Sequence, residues 1–169
     1  MVLRPAGPAD AGAMAGLIAR SWQDAYRALL PAPALAGMPA RALAEWQALL
    51  AAPPPGIVLL AEEPPALLGL AAIRLRGEEA YLDSLHVAPE GRGAGIGRRL
   101  LAEAMRQAIA AGARRGALRV IEGHEGAIRF YTRLGARRGS LEDGEAAGHP
   151  VRLWRLHFDD LPALVRAAG

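Results

Sequence analysis

Arg92-Gly93-Ala94-Gly95-Ile96-Gly97 is the stretch of this 169-residue chain whose residue types could most directly do chemistry. Three glycines at alternate positions open backbone conformations closed to other residues and let a ligand approach the main chain. An apolar run ends before them at Val87, and an amphipathic helix opens at Ile96. The start of such a helix offers unpaired N–H groups and the positive end of its dipole, which suits a phosphate or pyrophosphate. Arg92 adds a forked cationic donor at the rim. The same glycines would also serve a plain chain reversal, so the loop alone leaves both readings open. Two common nucleotide motifs fail on particular residues. A dinucleotide fingerprint needs a third glycine where Arg98 stands, and a P-loop needs a lysine, which the chain lacks altogether.

The elements that must position this loop follow from hydrophobic periodicity. Val2-Leu3-Arg4 predicts a first strand, and Asp10 precedes a helical stripe of Met14, Leu17, Ile18, Trp22 and Ala25 that Pro31 and Pro33 end. Leu35, Leu43, Trp46, Leu49 and Leu50 form a second stripe, followed by the cluster Pro53-Pro54-Pro55. Three strands are predicted at Ile57 to Ala61, Leu67 to Leu75 and Ala80 to Val87. Turns at Glu62-Glu63-Pro64-Pro65 and Arg76-Gly77-Glu78-Glu79 separate them. The helix from Ile96 carries Leu100, Leu101, Ala104, Met105 and Ile109 on one face, with Gly112 at its end. A strand at Ala117 to Ile121 and a short helix at Ala127 to Leu134, stopped by Gly135, come next. Strands at Ala136 to Leu141 and Pro150 to Phe158 close the chain, with a turn at Glu142-Asp143-Gly144-Glu145. The predicted class is α/β of the mixed α+β kind. One domain over residues 1–169 holds a central, mostly antiparallel sheet of six to seven strands flanked by helices.

Composition narrows the chemistry. An apolar fraction of 52% with 22% charged residues is globular. The absence of cysteine removes disulfides, thiolate metal sites and a cysteine nucleophile. All 20 basic residues are arginine, so no lysine can act as base, Schiff-base former or phosphate clamp. Acidic residues are interspersed, and the pairs Arg98-Arg99, Arg114-Arg115 and Arg137-Arg138 have few aromatic neighbours. That pattern speaks against nucleic acid, although an arginine-rich nucleic-acid-binding domain stays a rival. The four histidines are scattered and make no metal set. Arg4, Pro5 and Pro8 interrupt any signal-peptide pattern, and no run reaches the roughly 18–20 apolar residues of a membrane span. The expectation is a cytoplasmic protein, and its arginine usage points to a GC-rich bacterial genome.

Two segments together carry a family resemblance. Leu82 to Leu101, including Leu85-His86-Val87-Ala88-Pro89-Glu90-Gly91-Arg92, and Ala127-Ile128-Arg129-Phe130-Tyr131-Thr132-Arg133-Leu134-Gly135 resemble the two signature regions of the GNAT superfamily of N-acetyltransferases. That family's coenzyme A loop reads Arg or Gln, two residues, Gly, one residue, Gly or Ala, and is matched by Arg92, Gly95 and Gly97. The order of elements agrees with the GNAT fold, and the match implies a cofactor-binding core at about residues 80–136 within a single GNAT-like domain.

The resemblance implies an N-acetyltransferase in which an amine attacks the thioester of acetyl-CoA without an acyl-enzyme. Acetyl-CoA is then a cosubstrate, no metal is involved, and the backbone N–H groups of Arg92, Gly93, Ala94, Gly95, Ile96 and Gly97 hold its phosphates. The pantetheine arm would lie along the main chain of Leu85, His86 and Val87 like an added strand, with an N–H near Leu85 polarising the carbonyl. Tyr131 matches the general acid for the departing thiolate, the alternative being an aromatic on a buried helix face. The base positions are matched by Tyr81, where a glutamate is common, and by Asp83, the candidate here; a water chain is the alternative. By strand alternation Asp83 shares a face with Tyr81, and His86 is expected on the opposite one. His124 stands where the family usually has asparagine, which implies a cofactor contact or an acid/base role. His149 reads as a lone loop histidine. Trp22, Tyr26, Trp46, Trp154 and the acidic turn at 142–145 would flank the acceptor, Trp22 and Trp46 reading first as core. The implied partners are a coenzyme A thioester and a small amine or a peptide or protein amine, with no membrane, in a monomer or homodimer. A catalytically idle acyl-CoA-binding or regulatory module of the same fold is the other alternative.

Overall fold

The computed structural model describes residues 1–54 and 56–169; Pro55, the last of the triple-proline cluster, lies outside the described residues. Strand β1 (Val2–Pro5) leads into helices α1 (Ala11–Tyr26) and α2 (Ala32–Ala51). A meander of β2 (Gly56–Glu63), β3 (Ala66–Arg76) and β4 (Glu79–Val87) follows. Then come α3 (Ile96–Ala110), β5 (Arg115–Ile121), α4 (Glu125–Arg133), β6 (Arg137–Ala146), β7 (His149–Phe158) and α5 (Leu161–Ala168). The seven strands form one sheet in the order β1-β2-β3-β4-β5-β7-β6, antiparallel except at β4–β5.

Both faces of the central strands are covered, which explains why β2 and β3 read as continuous apolar runs. On one face Leu100, Leu101 and Met105 of α3, Ile128 of α4 and Leu161 and Leu164 of α5 pack on Leu59, Ile73, Leu82 and Leu156. On the other, Met14, Leu17 and Ile18 of α1 and Met38, Trp46 and Leu50 of α2 pack on Leu60, Leu70 and Ala72. Each such large side chain taken fully from water contributes about 1.5–3 kcal/mol.

Several expectations need correction. Pro33 does not end the first helical region but sits in the first turn of α2, where its missing N–H costs nothing. Leu43 is 36% exposed, because α2 turns Ala34, Leu35, Met38, Ala42, Trp46 and Leu50 inward instead. Residues Glu142 to Glu145 are not a turn; they pair with β7, and the reversal falls at Ala147-Gly148, whose φ values of 51° and 80° suit a two-residue hairpin. His149 therefore opens β7 rather than lying in a loop. Helix α5 was not anticipated at all. Its signals are short: Asp160 accepts the Ala163 N–H at 2.8 Å as a cap, and Leu161, Leu164 and Ala168 share the buried face.

Two irregularities of β4 matter most. It pairs with β5 only from Glu79 to Tyr81, against Arg115 to Ala117, and beyond that point the strands part. On its other edge Leu82 pairs with Ile73 while Ser84 pairs with Ala72, so Asp83 is an extra residue in the ladder, a β-bulge. The bulge shifts the alternation. Leu82, Leu85 and Val87 all pack on the α3 side, whereas His86 turns toward α1. His86 thus shares the face of Tyr81 and Asp83, opposite to the expectation from unbroken alternation.

Candidate active site

A short 3-10 turn at Pro89–Gly91 carries the chain from β4 into the glycine loop. Gly93 and Gly95 have φ of 80° and 77°, and a Cβ added at either would find nothing within 4 Å. Both are therefore required by the backbone, and both face open space. Gly95 caps α3, whose first-turn N–H groups have no intrahelical acceptor and face the same space. Gly97 works differently from the expectation of three alike glycines. It has ordinary helical geometry, and a Cβ there would stand in ordinary contact, 3.4 Å from Val87 Cγ2, where α3 meets β4. Gly69 of β3 is the glycine that close packing requires: a Cβ there would stand 2.9 Å from both Leu100 Cδ1 and His86 O. Ile96 is buried, so only its main chain can meet a ligand, while Ala94 is exposed on the loop.

The forked donor expected of Arg92 at the rim is already engaged. Its guanidinium is paired with Asp24 of α1, tying the loop to the helix across the cavity. The Arg92 backbone N–H is spent on Pro89 O at 3.3 Å, against the expectation, so what Arg92 offers a phosphate is mainly a partly neutralised charge.

Beyond the bulge, one edge of β4 is open. The Ala88 N–H bonds Leu68 O at 2.8 Å, so alternation turns the peptide groups of His86 toward β3 and those of Leu85 and Val87 into the gap beside β5. That gap belongs to a cavity of about 1590 Å³ that also touches Gly93, Gly95, Gly97, His124 and Tyr131.

Tyr131 is 8% exposed, on the inner face of α4. Burial, with neighbouring Tyr26 adding to it, pushes its phenol above the ordinary range, so it stays protonated at neutral pH. Tyr26 stacks edge-on with Trp22 at 4.8 Å and with His124 at 5.2 Å, and burial pushes its phenol up to about 12. No buried side-chain oxygen or nitrogen among the described residues lacks a partner, and Tyr131 Oη bonds no protein group, so the hydroxyl must open on the cavity.

Asp83 pairs with Arg74 at 2.9 Å and its side chain is 27% exposed. Burial raises its pKa, against the lowering pull of Arg74, Arg76 and Arg119. His86 bonds Ser21 of α1, Nδ1 to Oγ at 3.2 Å, and burial, helped by the Arg92 charge, pushes it down to about 4. His124 caps α4, its Nδ1 accepting the Ala127 N–H at 3.5 Å; burial and Arg92 lower its pKa too. Trp46 lies in the α2 core at the cavity wall, and Trp154 lies under Arg138 on β6, away from the cavity. The sequence reading missed Ser21, Asp24, Arg74 and Arg119, all of which line the cavity. Strand alternation could have flagged Arg119 and also Arg74, the one charged residue in the run from Leu67 to Leu75, and nothing local marks Ser21 or Asp24. Among the described residues no group of three metal-ligating side chains comes together, and no helix is long and apolar enough to cross a membrane.

Among curated proteins none matches by sequence. Solved structures share the fold at low identity. The PaiA N-acetyltransferase of Thermoplasma acidophilum, solved with coenzyme A, is 18% identical with a TM-score of 0.75, over 91% of this chain and 96% of that one. YncA of Salmonella typhimurium, solved with acetyl-CoA, is 20% identical with a TM-score of 0.68, over 95% and 94%. A GCN5-related N-acetyltransferase of Rhodopseudomonas palustris is 21% identical with a TM-score of 0.77, over 93% and 94%. The sequence profile of the acetyltransferase (GNAT) family matches residues 19–136, which is most of the chain, so the protein belongs to that family.

Proposed function

We propose that this protein is an N-acetyltransferase that moves the acetyl group of acetyl-CoA directly to an amine. The observation that carries the reading is the parting of β4 from β5 beside two open left-handed glycines, with the Tyr131 hydroxyl on the same cavity. The donor fits these residues. The N–H groups from Gly93 to Gly97, with the Arg92 side chain beside them, suit a pyrophosphate, and the main-chain groups of Leu85 and Val87 suit the amides of an extended pantetheine arm. Bound there, the thioester supplies the activated acyl group.

The chain's own residues do the rest. The Leu85 N–H stabilises charge on the carbonyl oxygen from a fixed position, at no reorganisation cost. Asp83, its carboxyl raised by burial, accepts the proton the amine loses, directly or through water. Tyr131 gives its proton to the sulfur as the C–S bond breaks and the C–N bond forms, and the proton held at Asp83 restores balance through solvent. The sequence has no cysteine to carry the acetyl group as an enzyme thioester, which fits direct transfer. His86, neutral at physiological pH and bonded to Ser21, positions β4 against α1, and its main chain borders the donor. His124 shapes the α4 entrance by capping that helix beside the cavity, a place from which it also meets the donor.

The test is thiol release from acetyl-CoA across a panel of amines, alongside calorimetry with acetyl-CoA. Thiol release with at least one amine, and micromolar-to-millimolar binding of the donor, are expected. Binding without release for any amine would point instead to an idle acyl-CoA-binding module.

A further inference from the structure

Two guanidinium groups meet on one tyrosine at the acceptor end of the cavity, and a third holds the single carboxylate beside it. Arg119 of β5 donates its Nε to Tyr81 Oη at 2.8 Å. Arg76 lies over the Tyr81 ring, 4.4 Å from its centre, and Arg74 holds Asp83 at 2.9 Å. Tyr81 is itself only 6% exposed, so it is a fixed post rather than a mobile surface ring. Among the described residues no carboxylate pairs with Arg119 or Arg76. The next acid along the strand, Glu79, is already engaged by Arg155 at 3.3 Å and Arg115 at 3.9 Å.

The register places this cluster at the mouth of the gap. Tyr81 faces Ala117, so two residues on, Asp83 and Arg119 flank the point where the strands part, on the face away from α3. Arg74, Tyr81, Asp83 and Arg119 all line the cavity. A guanidinium held through Nε leaves its two Nη groups as an oriented fork, the arrangement that takes a carboxylate bidentately. Arginine side chains give up rotamer freedom to be held so, and Arg74, Arg76 and Arg119 are all exposed, with Asp83 the one carboxylate among them, which leaves the cluster with a net positive charge open to an incoming anion.

On the footing of the acetyl-transfer reading, we propose that the acceptor is a small amine that carries a carboxylate, an amino-acid-like zwitterion, anchored by the Arg119 fork with Arg74. The carboxylate lies at the mouth, and the amine points along β4 past Asp83 toward Leu85. Two residues of strand span about 6.6 Å, a distance a small amino acid together with an arginine side chain covers easily. A polyamine would set ammonium groups against the arginine excess. A phosphate dianion would meet the Asp83 carboxylate, which a carboxylate monoanion does at lower cost.

The experiment measures thiol release at saturating acetyl-CoA with α-amino acids, each beside its decarboxylated amine and its aminophosphonic counterpart. The expected result is that kcat/KM for one or more amino acids exceeds that of both counterparts at least tenfold. Arg119→Gln should raise KM for the amino acid at least tenfold and erase the preference, with calorimetric affinity for acetyl-CoA unchanged. Tyr81→Phe, a milder change that frees the Arg119 side chain, should act in the same direction, while Arg133→Gln on the exposed face of α4 should do nothing. Decarboxylated amines that match or beat the amino acids would overturn the proposal and leave acetyl transfer intact; equal or better aminophosphonates would overturn the carboxylate assignment. If no amine releases thiol, the transfer reading fails, and amino acids titrated into the acetyl-CoA-loaded protein decide the anchor. Binding lost in Arg119→Gln upholds it, and absent binding overturns it.

Discussion

The two halves of β4 belong to one strand and differ in what holds them. From Glu79 to Leu82 it is laddered to β3 and, through Tyr81, to β5. From Ser84 to Val87 its ladder among the described residues is with β3 alone, and its other edge faces the cavity. One inserted residue, Asp83, marks the change. In the closed half the side chains do the work: Tyr81 is a buried post for arginines. In the open half the side chains of Leu85 and Val87 are packed, and the backbone is what is offered. The lesson is that a single bulge can divide a strand into a scaffold and a binding edge without adding a loop.

Tyr131→Phe tests the open half with the largest expected effect. Removing an acid positioned at the departing sulfur should lower the rate of thiol release about 10²-fold, with acetyl-CoA affinity unchanged. A variant as fast as the parent would reduce the open half to a binding surface. Gly95→Val set beside Gly77→Val comes next. Both positions have positive φ, 77° and 59°, and both have room for a side chain, so each substitution should cost roughly 1–2 kcal/mol of backbone strain. Gly95→Val should also weaken acetyl-CoA binding about tenfold or more by calorimetry, because it lies on the open side, whereas Gly77→Val, in the turn entering the closed half, should lower Tm alone. Equal affinities in the two variants would break the distinction.

The smallest effect is in pH. His86 is pushed down to about 4 from an ordinary 6.5, so the unfolded chain binds its proton first as pH falls. Its contribution to stability should be complete above about 6.5 and be lost progressively as pH drops toward 4. Denaturation midpoints at pH 7 and pH 5 should differ more for the parent than for His86→Gln. Ser21 is the hydroxyl facing His86, and Arg92 is the nearby cation that reinforces the shift. An unchanged difference would mean that the ring is free to charge in place.

Much of the fold was legible because its signals are local. The apolar runs of β2 and β3, the stripe of α3 and the stop at Gly135 follow from neighbours in sequence, and the glycine loop needs only the strand before it and the helix after it. The rest depends on contacts distant in the chain. Asp24 meeting Arg92 joins residues 68 apart, and Arg119 meeting Tyr81 joins residues 38 apart. The face of His86 was misread because alternation assumes an unbroken ladder, and no residue type at Asp83 announces a bulge. Helix α5 escaped because eight residues offer too few turns for a periodic stripe to stand out. The donor side of the cavity is thus written mostly in one continuous stretch, and the acceptor side only in the folded whole.

An exposed strand edge at the rim of a sheet is an invitation to other chains, and proteins blunt such edges to avoid aggregation. The open edge of β4 lies instead in the middle of the sheet, with β5, β7 and β6 beyond it. A second polypeptide strand, with side chains on both faces, would have to force those three aside to pair there. A slim linear molecule would not. The parted sheet therefore acts as a width filter: it keeps its hydrogen-bonding edge available to a narrow ligand while denying it to another copy of the protein.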